Sequence, residues 1–135
     1  MHIVSLDNLK TFYDNIKDIL EGKRDIEKLT INTTDNSENV YINSNEILLF
    51  NTAQTFTSKT FTLVTPADTT IENTYTIRFK LNSTTPTINF TVPSGSTLKW
   101  ANNETPTFNG NGLCYEITFK YMPGLNIYLG VCGEF

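Results

Sequence analysis

Residues 112–135 run GLCYEITFKYMPGLNIYLGVCGEF. Leu113, Tyr115, Ile117, Phe119 and Tyr121 alternate with Cys114, Glu116, Thr118 and Lys120. That period of two gives a strand one apolar face and one mostly polar face. Met122-Pro123-Gly124-Leu125 then breaks the run with turn-forming residues. Beyond it, Ile127, Leu129, Val131 and Phe135 share one face, and Tyr128 falls on the other, polar side. The two runs predict a β-hairpin with aligned apolar faces, its end held in the sheet by Phe135. With the turn centred on Pro123-Gly124, Cys114 and Cys132 come nearly opposite each other on one face. A cross-strand disulfide is then geometrically open. Two reduced thiols are the expected state for a protein assembled in a cytoplasm. No third ligand accompanies them, so zinc is not indicated.

The same alternation recurs upstream. Tyr75, Ile77, Phe79 and Leu81 alternate with Thr76, Arg78 and Lys80, and Ile88, Phe90 and Val92 alternate before Pro93-Ser94-Gly95-Ser96. Leu98 and Trp100 share a face in a short strand. Shorter strands are expected at 29–33, 40–42, 47–50 and 60–64, with Asn43-Ser44-Asn45 as a tight hairpin turn between the second and third. Turn signals every eight to twelve residues are the pattern of a sandwich or small barrel. The fold class expected is therefore mainly β: a short N-terminal helix, then an antiparallel, jelly-roll-like β-sandwich of about eight strands. Two parts follow: residues 1–28, helix and charged connector, and residues 29–135, the β-sandwich.

The helix is expected from Ser5 to Leu20, with Ser5 or Asp7 as N-cap and Gly22 placed to end it. Leu6, Leu9, Tyr13, Ile16 and Leu20 fall at spacings of three and four, and Phe12 and Ile19 widen the stripe. Such a stripe must be covered, either by the chain's own β body or by copies of itself in a short coiled coil.

The full sequence has 135 residues and a net charge of -4, enough for one domain with a real core. That charge leaves no basic footprint for nucleic acid or an anionic membrane. No apolar run approaches the ~20 residues that span a bilayer, and the first residues lack the pattern of a signal peptide. Four sequons occur, at Asn32, Asn82, Asn89 and Asn103. In a chain so rich in Asn and Thr they are expected by chance. The single histidine, His2, has no Ser or Cys partner in a recognisable motif, and no nucleotide-, zinc- or calcium-binding signature appears. Nothing selects a pair of carboxylates for glycoside hydrolysis. The expectation is no enzyme and no cofactor. Trp100 and Tyr128 are the candidate ligand contacts. Trp100 is expected chiefly as a core anchor beside Leu98, and Tyr128 to touch a ligand or another subunit.

Pro93-Ser94-Gly95-Ser96-Thr97-Leu98-Lys99-Trp100-Ala101-Asn102, then Thr105-Pro106-Thr107-Phe108, Tyr115-Glu116-Ile117-Thr118-Phe119 and Gly130-Val131-Cys132-Gly133-Glu134-Phe135, form a series. It resembles a β module in the C-terminal part of head-fibre and tail-fibre proteins of tailed bacteriophages. The resemblance covers roughly the last half of the chain and carries no catalytic residues. It implies a non-enzymatic virion protein: a head fibre, capsid decoration or short fibre adaptor assembled in the host cytoplasm. Its partners would be itself as a homotrimer through the helix, other virion proteins, and candidate host-surface glycans. The short chain, without a long shaft, favours the head-fibre, decoration or adaptor forms. The alternative from the residues is a carbohydrate-binding module that stacks sugars on Trp100.

Overall fold

The computed structural model describes residues 6–23, 28–32, 38–82 and 85–135. His2 and Ser5 lie outside them. The helix α1 spans Leu6–Lys23 and runs through Gly22, which was expected to end it. Among the described residues nine strands follow: β1 Lys28–Asn32, β2 Asn39–Ile42, β3 Glu46–Phe50, β4 Ser58–Leu63, β5 Asn73–Leu81, β6 Thr87–Thr91, β7 Thr97–Trp100, β8 Leu113–Met122 and β9 Ile127–Glu134. The chain is mainly β with one N-terminal helix, as the alternation predicts.

The direction of pairing differs from the antiparallel, jelly-roll-like order expected. β1, β3, β5, β8, β9 and β7 form one sheet in that order, and β2, β4 and β6 form the second. Five of the seven pairings are parallel. Only β8 runs against its neighbours, β5 and β9. From β1 to β7 the chain changes sheet at every connection, so it winds as a short coil of two strands per turn. Parallel neighbours need a crossover, commonly a helix. Here a strand of the opposite sheet serves as the crossover for four of the five parallel pairs, and β8 of the same sheet lies between β7 and β9 in the chain. Period-two alternation says which face of a strand is buried and nothing about the direction of its partner.

The expected β2–β3 hairpin is absent for the same reason. Asn45 takes φ 57 between them and sends the chain into the other sheet. There its backbone N–H donates to Thr74 O at 2.6 Å, and its carbonyl accepts from Lys28 N at 2.8 Å. Glu46, at the start of β3, faces inward and is buried. Its carboxylate accepts from the side-chain and backbone N–H of Asn43, at 3.0 and 3.3 Å. Asn45 Nδ2 donates to Asn73 Oδ1 at 3.1 Å, which ties one turn of the coil to the next. On the outer face of the small sheet, Thr91 Oγ1 donates to Thr62 Oγ1 at 2.9 Å and Thr62 Oγ1 to Asn39 Oδ1 at 2.7 Å. The Thr- and Asn-rich composition thus supplies hydroxyl and amide ladders between parallel strands.

The two sheets meet through aromatic rings. Phe61 of β4 stacks on Phe79 of β5 with centroids 6.0 Å apart. Phe90 of β6 meets Trp100 of β7 edge-on at 5.4 Å and Phe119 of β8 at 5.2 Å. Phe61, Ile42, Leu63, Tyr75, Ile77, Leu81, Ile117 and Phe119 are fully buried. Each such side chain contributes about 2–3 kcal/mol of transfer free energy.

The terminal hairpin forms, in a different register from the one expected. Its loop is Pro123–Asn126, so Met122 faces Ile127 and Tyr121 faces Tyr128. Tyr128 therefore lies inward beside Tyr121, and Ile127, Leu129 and Val131 lie outward. This reverses the expected faces of β9. Ring centroids are 5.0 Å apart for Tyr121–Tyr128 and 5.8 Å for Tyr75–Tyr128. Cys132 pairs with Ile117, and Cys114 exchanges backbone hydrogen bonds with Phe135. The two cysteines are on opposite faces and both are free thiols, which removes the geometry a disulfide would need.

Candidate functional site

Two surfaces carry the residues singled out by sequence. The first is α1. Leu9, Phe12, Tyr13 and Ile16 recur at spacings of three and four, and they are 55%, 63%, 66% and 40% exposed. Of the two covers expected for the stripe, these four side chains do not have the chain's own β body. Leu6, Ile19 and Leu20 belong to the same helix, and their side chains lie outside the described part. A helix face of this kind is stable in water only when something covers it, because short isolated helices are marginal.

The second surface is a cleft of about 300 Å³ beside the end of β7. Leu98 and Trp100 face inward, as their shared parity predicts, and Trp100 is half-buried against Phe90 and Phe119. The remaining part of the indole lines the cleft with Asn102, Glu104, Thr105 and Thr107. Gly130 of β9 lies directly under the ring. A Cβ there would come 2.5 Å from Trp100 Cε3 and Cζ3. Directly after β7, a single 3₁₀ turn, Ala101–Asn103, places Asn102 and Asn103 at φ 59 and 58. Asn is the non-glycine residue that tolerates this left-handed region best. The turn lifts Asn102 and Glu104 to the rim. The Asn-Asn pair directly after a strand is the sequence signal for this turn.

Tyr128, the other candidate contact, is 1% exposed and belongs to the core. Burial raises the pKa of its phenol, and that of Tyr75, above the ordinary 10.0. Burial, then the Glu134 charge, pushes the Cys132 thiol up to about 11, so it is protonated and unreactive at neutral pH. On the outer face of the large sheet, Arg78 Nε donates to Glu116 Oε2 at 2.6 Å across β5 and β8. Among the described residues no group of His, Cys, Asp and Glu is placed to hold a metal ion. No described helix is long and apolar enough to cross a membrane. What the cleft offers is an indole, an amide, a carboxylate and two hydroxyls. Those groups suit hydrogen bonding and stacking. Comparison with protein-family models, with curated proteins and with solved structures finds no match to this chain.

Proposed function

We propose that the protein is a non-enzymatic structural component of a bacteriophage virion: a head fibre, capsid decoration or short fibre adaptor. It assembles in the host cytoplasm as a homotrimer held partly through α1. The motif series from Pro93 to Phe135 supports the virion reading. The observation that carries the assembly role is the exposed apolar face of α1, which needs a partner to stay out of water. The partners are further copies of the chain and the virion proteins to which it attaches. The decisive experiment is mass spectrometry of particles purified from the phage that encodes the chain. Its peptides should appear at a fixed copy number per capsid, and their absence would end the virion reading.

A second reading, a carbohydrate-binding module, is favoured by the Trp100 cleft. Trp100 is the only tryptophan in the sequence, so its fluorescence reports on the cleft directly. Titration with host-surface and dietary glycans should change the emission, and the change should disappear in Asn102→Ala with Glu104→Gln. Emission that no glycan changes would leave the module reading without support.

A further inference from the structure

The geometry points to the edge of β9 beyond Trp100 as a docking site for an extended peptide of another protein, an apolar residue flanked by basic ones. β7 and β9 pair from Thr97–Ile127 to Trp100–Gly130, and there β7 stops. Asn102 and Asn103, at φ 59 and 58, turn the chain away. β9 continues through Val131 to Glu134. The cleft of about 300 Å³ opens at this continuation, with Gly130, Val131 and Cys132 in its lining.

The ladder fixes which backbone groups are left over. Cys114 and Phe135 exchange both N–H···O bonds, at 2.9 and 3.0 Å, so they are a hydrogen-bonded pair of β8 and β9. Such pairs alternate along an antiparallel ladder. Gly133 and Val131 therefore also bond to β8, while Cys132 and Glu134 turn their N–H and C=O the other way. That way is the β7 side, where Asn126, of the same parity, accepts from Thr97 N at 2.9 Å. Past Trp100, no described residue bonds to the backbone of Cys132 or Glu134 on this side. Cys132 is partly buried, so leaving its N–H and C=O unpaired is costly.

The chemistry of the edge names its occupant. Donors and acceptors that recur every second residue, about 6.6 Å apart, are matched by another extended backbone. The chain's own loop does not take that place: Pro106, in the cleft lining, has no N–H, and no backbone bond joins 105–107 to β9. The half-buried indole of Trp100 offers the entering strand an apolar contact. Glu104 is the one charged side chain among the described residues that line the cleft. Glu134, the next residue of Cys132 parity, adds a second carboxylate, close enough for its charge to act on the Cys132 thiol. Charge complementarity therefore asks for Lys or Arg on either side of the apolar residue. The chain itself has a net charge of -4, so a more basic partner protein matches the cleft better than a second copy. The site is independent of the virion and glycan readings, although the second uses the same cleft.

The test is titration of the full chain with end-blocked pentapeptides, followed by Trp100 emission. Lys-Thr-Leu-Thr-Lys should bind with a dissociation constant below about 1 mM. Glu-Thr-Leu-Thr-Glu should bind about 10-fold more weakly. In Glu104→Gln with Glu134→Gln, both at exposed positions, that difference should shrink to about 2-fold. Backbone pairing has a signature of its own that leaves the protein unaltered, because only every second residue of a bound strand turns its N–H to the edge. N-methylation of the lysine peptide at Leu and at the Thr after it should therefore differ, one weakening binding about 10-fold and the other leaving it unchanged. Equal effects at the two positions overturn strand pairing. A lysine peptide that leaves the emission unchanged at about 1 mM overturns the site. Equal binding of the two peptides, or a difference undiminished in the Gln variant, overturns the part given to the carboxylates and with it the basic partner. Emission that answers to glycans and not to the peptides assigns the cleft to sugars and overturns the peptide site.

Discussion

Among the glycines whose surroundings are described, Gly130 has the least room for a side chain. Its backbone lies under the indole of Trp100, and an added Cβ would also come 2.9 Å from Phe119. Phe90 backs both rings on the core side, so neither can retreat inward. Gly130→Ala should therefore cost about 1–3 kcal/mol, the usual range for overpacking. Gly133 on the same strand is the control, since a Cβ there meets nothing closer than Glu116 O at 3.9 Å. Gly133→Ala should be close to neutral. Urea midpoints read by Trp100 emission decide it, and equal midpoints for the two variants would refute the packing argument. Such a requirement cannot be read from spacing alone. The alternation placed Trp100 on an inward face, and it said nothing of which strand lies beneath it.

The buried phenols make a second prediction at single positions. Tyr75, Tyr115 and Tyr128 all have their pKa raised, with burial as the first cause. Folding thus favours the neutral phenol. Its stabilisation is complete below the unfolded value of about 10 and is lost as pH rises through the folded one. Cys132, raised from 9.0 to about 11, acts in the same sense from pH about 9 upward. The urea midpoint should be flat between about pH 7 and 9 and fall above that. Tyr75 donates to Val64 O at 2.6 Å, so Tyr75→Phe should cost about 1 kcal/mol at pH 7 and make the alkaline decline shallower. A midpoint that rises above pH 10, or an unchanged slope in Tyr75→Phe, contradicts this account.

Strand positions were readable along the whole β body, because period-two alternation survives any choice of partner. Partners were not. Asn43-Ser44-Asn45 has the residues of a hairpin turn, yet it carries the chain from the small sheet into the large one. What separates the two outcomes is the hydrogen bonding of Asn45, to β1 on one side and to β5 on the other, and both partners are remote in sequence. In β9 the error lay in parity. A four-residue loop, Pro123–Asn126, pairs Tyr121 with Tyr128 and so reverses the face that hydropathy alone assigns. The element-level prediction concerns Asn45. Asn45→Gly keeps the φ of 57 accessible and loses only the side-chain bonds to Asn73 and Thr74. Asn45→Ala loses both. Alanine should cost about 1–2 kcal/mol and glycine distinctly less, by thermal or urea unfolding. Glycine as costly as alanine would show that the left-handed turn is not what asparagine supplies.

The whole molecule is a wound coil closed by a hairpin. β7 pairs with β9 alone, through Leu98–Tyr128 and Trp100–Gly130, while β8 depends on β5 and β9. The hairpin β8–β9 thus sits between the coil and the strand that ends it. The candidate cleft inherits this arrangement, since one wall is the β7 end with its left-handed asparagines and the other is Gly130–Cys132 of β9. Trp100 and Leu98 were identifiable by their shared parity, but their neighbours across the cleft lie about thirty residues away and no local signal joins them. The exposed stripe of α1 was the most readable feature of all, because a helical period needs no partner to be seen. Removing 127–135 should therefore act far beyond one strand. β7 would lose its only pairing among the described strands, Tyr75 and Tyr121 would lose the Tyr128 ring, and β8 would become an open edge. A chain ending at Asn126 should show Trp100 emission shifted to the red and no cooperative thermal transition, while far-UV circular dichroism keeps the α1 signal only if assembly through the helix persists. A sharp melt with native emission would mean that β1 to β6 form a self-sufficient coil and that Trp100 is held by Phe90 and Phe119 without the floor that Gly130 provides.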